Sequence, residues 1–163
     1  AHFGIRPLQE LVDAGLPAPH VIQLQLSPFH THRDVAVWAQ PHGSALSCAA
    51  WSKLSSVDGP ADQWAVVAAL AKQKGAAKAQ ILVKWALQKG YLCAPRSSAA
   101  SKLERQAIAE NSYHGCQPFV LTAADMQTLD TLDIHLPAGR LGVTDGYTTS
   151  DILSREWDPT TAI

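Results

Sequence analysis

Short β-rich runs alternate with stretches of helical periodicity along this chain, and that alternation restricts the fold more than any other feature. His20-Val21-Ile22-Gln23-Leu24-Gln25-Leu26 alternates apolar and polar residues and is rich in β-formers, so it reads as a strand that Ser27-Pro28 breaks. Ala45 to Trp51 is a nearly continuous apolar run, the pattern of a strand buried on both faces. Tyr91-Leu92-Cys93-Ala94 is a third, shorter strand, stopped by Pro95. Between and around these lie helical segments. One starts at Pro7 and ends at Gly15, and a short one opens at Thr31 or His32 and closes near Gly43. Trp64–Lys74 and Ala77–Gln88 follow, separated by Gly75, and Ser101–Asn111 comes after the third strand. Thr122-Ala123-Ala124-Asp125 has the form of a capping box, with Asp in place of Glu, and starts a helix through Leu132. The tail after Leu136 is rich in Pro, Gly and Thr and reads as loop. Strands separated by helices pair in parallel through right-handed crossovers, so the expected class is α/β.

Composition narrows the function. The chain has 163 residues, 47% of them hydrophobic, enough for a packed core in one domain or in one piece of a larger one. Thirteen basic and 14 acidic residues give a formal net charge of −1, so there is no basic field to hold nucleic acid or anionic lipid. No apolar run approaches the ~20 residues of a membrane span, and Ala1-His2-Phe3-Gly4 has no signal-peptide character. Cys48, Cys93 and Cys116 are odd in number and widely spaced, which argues for a reducing, cytoplasmic setting and against a disulfide scaffold or zinc site.

Functional groups in parallel α/β folds lie at the carboxyl ends of the strands. Pro95-Arg96-Ser97-Ser98, just before a helix start, combines a cation and two hydroxyls, an arrangement suited to phosphate. A solvated Arg capping its own helix is the plainer alternative. Trp51-Ser52-Lys53-Leu54 puts an aromatic face beside a hydroxyl, to stack on a flat heterocycle or to serve as core. His30-Thr31-His32 has no further ligand at standard spacing, so no metal site is expected. No Gly-x-Ser-x-Gly, Gly-x-Gly-x-x-Gly or Walker sequence occurs.

Taken together and in order, these segments resemble the aldo-keto reductases. Ala1-His2-Phe3-Gly4 is similar to the family's Ser-Asn-Phe-Gly, and Val21-Ile22-Gln23 to its Val-Asn-Gln. Ala50-Trp51-Ser52-Lys53-Leu54 is similar to Ala-Tyr-Ser-Pro-Leu, and Gln80 to Trp85 to the family's Gln-…-Leu-…-Lys/Arg-Trp helix. Ala94-Pro95-Arg96-Ser97 is similar to Ile-Pro-Lys/Arg-Ser, Glu110-Asn111 to Glu-Asn, and Leu121 to Leu129 to Leu-Ser/Thr-x-x-Asp-Met-x-x-Leu.

The resemblance implies a partial (β/α)8 TIM barrel, from the end of strand five through strand eight plus the C-terminal helix and tail. Residues 1–163 would be the C-terminal part of that barrel, and 136–163 its loop and tail. The implied activity is NADP(H)-dependent reduction of aldehydes and ketones, with a small-molecule carbonyl substrate. It implies that Gln23 bonds the nicotinamide carboxamide, Trp51 stacks on the nicotinamide, and Ser52 and Leu54 line the pyrophosphate. Arg96 and Ser97 would hold the 2′-phosphate, with Lys102 or Arg105 as second cation, and Glu110 and Asn111 would meet the adenine end. Ala1, His2, Ile22 and Lys53 depart from the family's Ser, Asn, Asn and Pro. The family's catalytic Asp, Tyr, Lys and His belong to the first half of the barrel, so no catalytic residue is expected in this chain. A barrel of this class needs about 250 residues, so the length reads as a truncation. The competing reading is a non-catalytic NADP(H)-binding or accessory protein built on a reductase-like half-barrel.

Overall fold

The structure, a computed structural model, describes residues 3–48, 59–94 and 119–133. In chain order these form α1 (Ile5–Asp13), β1 (Val21–Leu24), α2 (Arg33–Ala39), β2 (Ala45–Cys48), α3 (Ala61–Lys74), α4 (Lys78–Gln88), β3 (Leu92–Cys93) and α5 (Ala123–Asp130). The strands form one parallel sheet in the order β1-β2-β3. Val21, Ile22, Gln23 and Leu24 lie opposite Ala45, Leu46, Ser47 and Cys48; Ser47 and Cys48 lie opposite Leu92 and Cys93. The expected Ser101–Asn111 helix and the tail after Leu136 lie outside the described residues.

Several boundaries differ from the sequence reading. Helix α1 starts at Ile5, two residues before Pro7. Pro7 therefore stands in the first turn, where its missing N–H has no helical partner to lose. Strand β1 ends at Leu24, because the Leu26 amide donates to the Leu24 carbonyl (2.8 Å) and turns the chain. Ser27 and His30 then exchange two backbone hydrogen bonds of 3.1 Å, and Ser27 Oγ accepts from the Phe29 amide. Helix α3 begins at Ala61, three residues before Trp64.

The sheet is not buried on both faces. Ile22, Leu24, Leu46 and Cys48 are buried, whereas Val21 and Gln23 are exposed and Ala45 and Ser47 half-buried. Every second residue of a strand points to the same side, so one face carries the core and the other is open. The core face joins Val35 and Ala39 of α2, Val67 and Leu70 of α3, and Ile81, Leu82 and Trp85 of α4. Burial on both faces would need a second cover over Val21, Gln23 and Leu92.

Helix α4 is the most enclosed element: Gln80 through Ala86 are all buried. Its Gln80 side chain accepts from the Ala77 amide (2.8 Å), satisfying one of the free donors at the helix start. Trp85, fully buried, donates from Nε1 to Asp130 Oδ1 (2.8 Å), and Lys89 pairs with the same carboxylate. Gln88 brackets the backbone of Leu121, donating to its carbonyl and accepting from its amide, each at 2.9 Å. These contacts lock α5 onto α4 across a long stretch of chain.

Helix α5 carries the expected capping box. Thr122 Oγ1 accepts from the Asp125 amide (3.2 Å), and Asp125 Oδ2 accepts from the Thr122 amide (2.8 Å). Lys74 closes on Asp125 at 2.6 Å and, as the largest cause, holds its carboxyl below the ordinary range. A lowered folded pKa stabilises above the unfolded value and is lost as pH falls through the folded one. Asp125→Asn is therefore expected to cost about 1 kcal/mol near neutral pH. The difference should shrink below about pH 4, as read from urea unfolding at several pH values; a pH-independent difference would contradict it.

Gly59 touches the ring of Phe29. A Cβ there would lie 2.6 Å from that ring, and Phe29 is itself fully buried and packed on Trp64 with centroids 4.9 Å apart. Gly59→Ala should lower stability by roughly 1–3 kcal/mol through overpacking. Phe29→Leu in the same chain should recover part of that loss, measured as a double-mutant cycle in thermal melts.

Candidate functional site

Parallel pairing brings the carboxyl ends of all three strands to one edge of the sheet. Gln23 stands one residue before the end of β1, opposite Ser47 of β2, which is opposite Leu92 of β3. This row faces the open side, and the Gln23 carboxamide is exposed there. An exposed amide offers two donors and an acceptor to a ligand carboxamide. Of the residues expected to bind cofactor, Gln23 is the one within the described residues. Trp51, Ser52, Leu54, Arg96, Ser97, Glu110 and Asn111 lie outside them. In the chain, Trp51 follows the last residue of β2 by three positions, and Arg96 follows the last residue of β3 by three.

The next row, on the core face, is Leu24, Cys48 and Cys93. The two sulfurs are 3.9 Å apart, and Cys93 Sγ also lies 3.8 Å from the Tyr91 carbonyl oxygen. Sequence spacing alone hides this pair, because 45 residues separate its members. The signal that could find it is the parallel register of two short apolar strands. The hydrogen bond with Cys93 is the first cause pushing the Cys48 thiol well above its ordinary range, and burial adds to it. The same hydrogen bond lowers Cys93, against the opposing effect of its own burial.

Other polar groups near the sheet pack against neighbouring elements. Tyr91 stands just before β3, at the end away from Gln23, with its ring edge-on to Trp85 (5.7 Å, 73°). Burial is the first cause pushing its phenol up to about 12, and the Asp130 carboxylate adds to it. Lys84 is buried, its ammonium 5.8 Å from the centroid of the Phe119 ring, and desolvation lowers its pKa. Thr31 bonds Asp133 through both its amide (3.3 Å) and its hydroxyl, so the His30-Thr31-His32 segment is tied to the end of α5. Among the described residues, no three His, Cys, Asp or Glu side chains converge as metal ligands. Nor is any helix among them long and apolar enough to cross a membrane.

No protein-family model matches the chain. Individual proteins do. Methylglyoxal reductase DkgB of Yersinia pestis is 33% identical over 136 residues, covering 83% of this chain and 43% of that protein. DkgB of Escherichia coli O157:H7 is 29% identical over 154 residues, 93% of this chain and 50% of that protein. Aldo-keto reductase family 1 member A1 of Cricetulus griseus is 26% identical over 146 residues, 83% of this chain and 41% of that protein. The chain thus spans about half the length of the curated relatives it matches. Among solved structures, a point mutant of Gox0644 in complex with NADPH superposes with a TM-score of 0.64 at 24% identity, over 99% of this chain and 50% of that one. An aldo-keto reductase from a Medee basin deep-sea metagenome library gives 0.63 at 16% identity, over 81% and 46%. At these identities the superpositions speak for the fold, an α/β arrangement shared with (β/α)8 proteins. The ordered motifs, the parallel sheet and the curated relatives agree: the chain belongs to the aldo-keto reductase family, matching the C-terminal half of its members.

Proposed function

We propose that this chain is the cofactor-binding half of an NADP(H)-dependent oxidoreductase that reduces aldehydes or ketones to alcohols. In this reading residues 1–163 are one unit, the end of strand five through strand eight of a (β/α)8 barrel, and 136–163 are its C-terminal loop and tail. The observation that carries it is the half-covered parallel sheet. Val21, Gln23 and Leu92 are exposed on the face opposite the helices, and a closed barrel fills its interior with side chains from that face. The likeness to a solved protein in complex with NADPH, over 99% of this chain, supports the choice of cofactor.

What the chain offers fits such a group. Gln23 presents an exposed carboxamide near the carboxyl end of β1, suited to pair with the nicotinamide carboxamide. Trp51 would stack on the nicotinamide, and Ser52 and Leu54 would line the pyrophosphate. Arg96 and Ser97 would hold the 2′-phosphate, a guanidinium being a planar, bidentate donor. Glu110 and Asn111 would meet the adenine. When bound, the cofactor supplies the hydride for carbonyl reduction, and the protein orients it. The substrate is a small carbonyl compound, and the setting is cytoplasmic. Tyr91, whose phenol is half-buried against Trp85 at the amino end of β3, is a poor candidate for the proton donor. The acid–base groups of the reaction lie outside residues 1–163.

Arg96→Ala in the complete protein should raise the NADPH dissociation constant roughly tenfold or more, as expected for loss of a charge-assisted pair. It should leave that for NADH nearly unchanged, since NADH has no 2′-phosphate. Equal weakening of both, by fluorescence titration, rejects the assignment. The 163-residue chain alone is expected to give no aldehyde-dependent oxidation of NADPH; measurable turnover would show that the acid–base groups lie within it.

A further inference from the structure

We propose that Cys93 and Cys48 form a peroxide-reactive dithiol, with Cys93 as the attacking thiol and Cys48 as the resolving one, closing to an intrachain disulfide that ties β2 to β3. The inference stands apart from the cofactor assignment, since it rests on the sheet alone.

Three features carry it. Cys48 and Cys93 are directly opposite each other on parallel neighbours. Adjacent strands lie about 4.8 Å apart, inside the Cα separation of roughly 4.4–6.8 Å that a disulfide accepts. Registered parallel partners point to the same face, and the sulfurs are already 3.9 Å apart. Bond formation therefore needs the sulfurs to close from 3.9 Å to the roughly 2.05 Å of a disulfide, a movement that side-chain rotation can largely supply.

The two thiols also differ in access. Cys48 is 3% exposed, while Cys93 is half-buried, so a small oxidant reaches Cys93 first. Once Cys93 ionises, Cys48 remains protonated beside it as a hydrogen-bond donor. That asymmetry matches the direction of both shifts: Cys93 down, Cys48 up. The thiolate is the reactive species, so the more exposed and more readily ionised sulfur attacks.

The chemistry balances with hydrogen peroxide as oxidant. The Cys93 thiolate attacks one peroxide oxygen, the O–O bond breaks, and the departing hydroxide takes a proton to leave as water. Cys93 becomes a sulfenic acid. Cys48 sulfur then displaces that hydroxyl; its own proton and the hydroxyl leave as a second water, and the S–S bond forms. Two thiols are oxidised by two electrons, and one peroxide is reduced to two waters. An external dithiol returns both thiols by exchange.

In the complete protein, Cys116 is first replaced by Ser, together with any cysteine outside residues 1–163, so that Cys48 and Cys93 are the thiols left to report. After hydrogen peroxide treatment, both thiols should be lost together. Non-reducing peptide mapping should recover a linked Cys48–Cys93 peptide, and dithiothreitol should restore both thiols. In the same background, Cys48→Ser should leave Cys93 as a sulfenic acid captured by dimedone. Cys93→Ser, or Cys93→Ala if the serine variant does not fold, should leave Cys48 reduced. The proposal is overturned if both thiols of folded Cys116→Ser protein survive peroxide, if they are lost without a linked peptide, or if the link forms only between two chains. None of these readouts involves NADPH, so failure here leaves the cofactor reading untouched, and the reverse holds.

Discussion

Parallel pairing of β1, β2 and β3 is the constraint on which the rest of the molecule depends. Two parallel strands cannot be joined by a tight turn, so the chain must cross back each time. It does so through α2 between β1 and β2, and through α3 and α4 between β2 and β3. All three strands then end at the same edge of the sheet. The segments after Leu24, Cys48 and Cys93, far apart in the chain, are launched from neighbouring positions. A ligand spanning several of those segments is a natural consequence of that topology.

The helices cover one face, and α4 is the most enclosed element of that layer. Seven consecutive buried residues leave it no solvent side. Its aromatic anchor, Trp85, cannot be buried without a partner for the indole N–H, and Asp130 supplies one. Because Asp130 also pairs with Lys89, a single carboxylate joins α5 to two positions near the end of α4. Gln88 adds a paired donor and acceptor to the backbone of Leu121, doing for an isolated segment what a neighbouring strand would do. Helix α5 is held by specific polar contacts placed around a buried apolar core.

The open face has the opposite character. Exposed Val21 and Leu92 flank Gln23 across three strands, on the face away from the described helices. The curated relatives are about twice as long as the stretch matched here. In the proposed reading, that face would be the inner wall of a larger barrel. On it stands Gln23, the one described candidate for cofactor contact. The Cys48–Cys93 pair is turned into the helical layer behind it.

Much of this was legible in the residues themselves. The order of strands and helices, Gly75 between α3 and α4, and the Thr122–Asp125 capping box follow from local patterns that act over three or four residues. The family, too, is written in ordered short motifs. Element ends were less legible: Pro7 reads as a first helical residue but stands third, and Leu26 reads as strand but follows a turn at Leu24. In both, a backbone hydrogen bond or capping position decided what propensity left open. The apolar run at Ala45 predicted two buried faces, whereas only one is covered, since burial depends on what packs above a strand and not on the strand's own composition. Local sequence thus determined which segments are helix or strand, and that the strands run in parallel. Only the tertiary structure decided which residues meet across them. Register is set by the packing of whole elements against one another, and no local pattern reports that Cys48 faces Cys93 or that Trp85 finds Asp130.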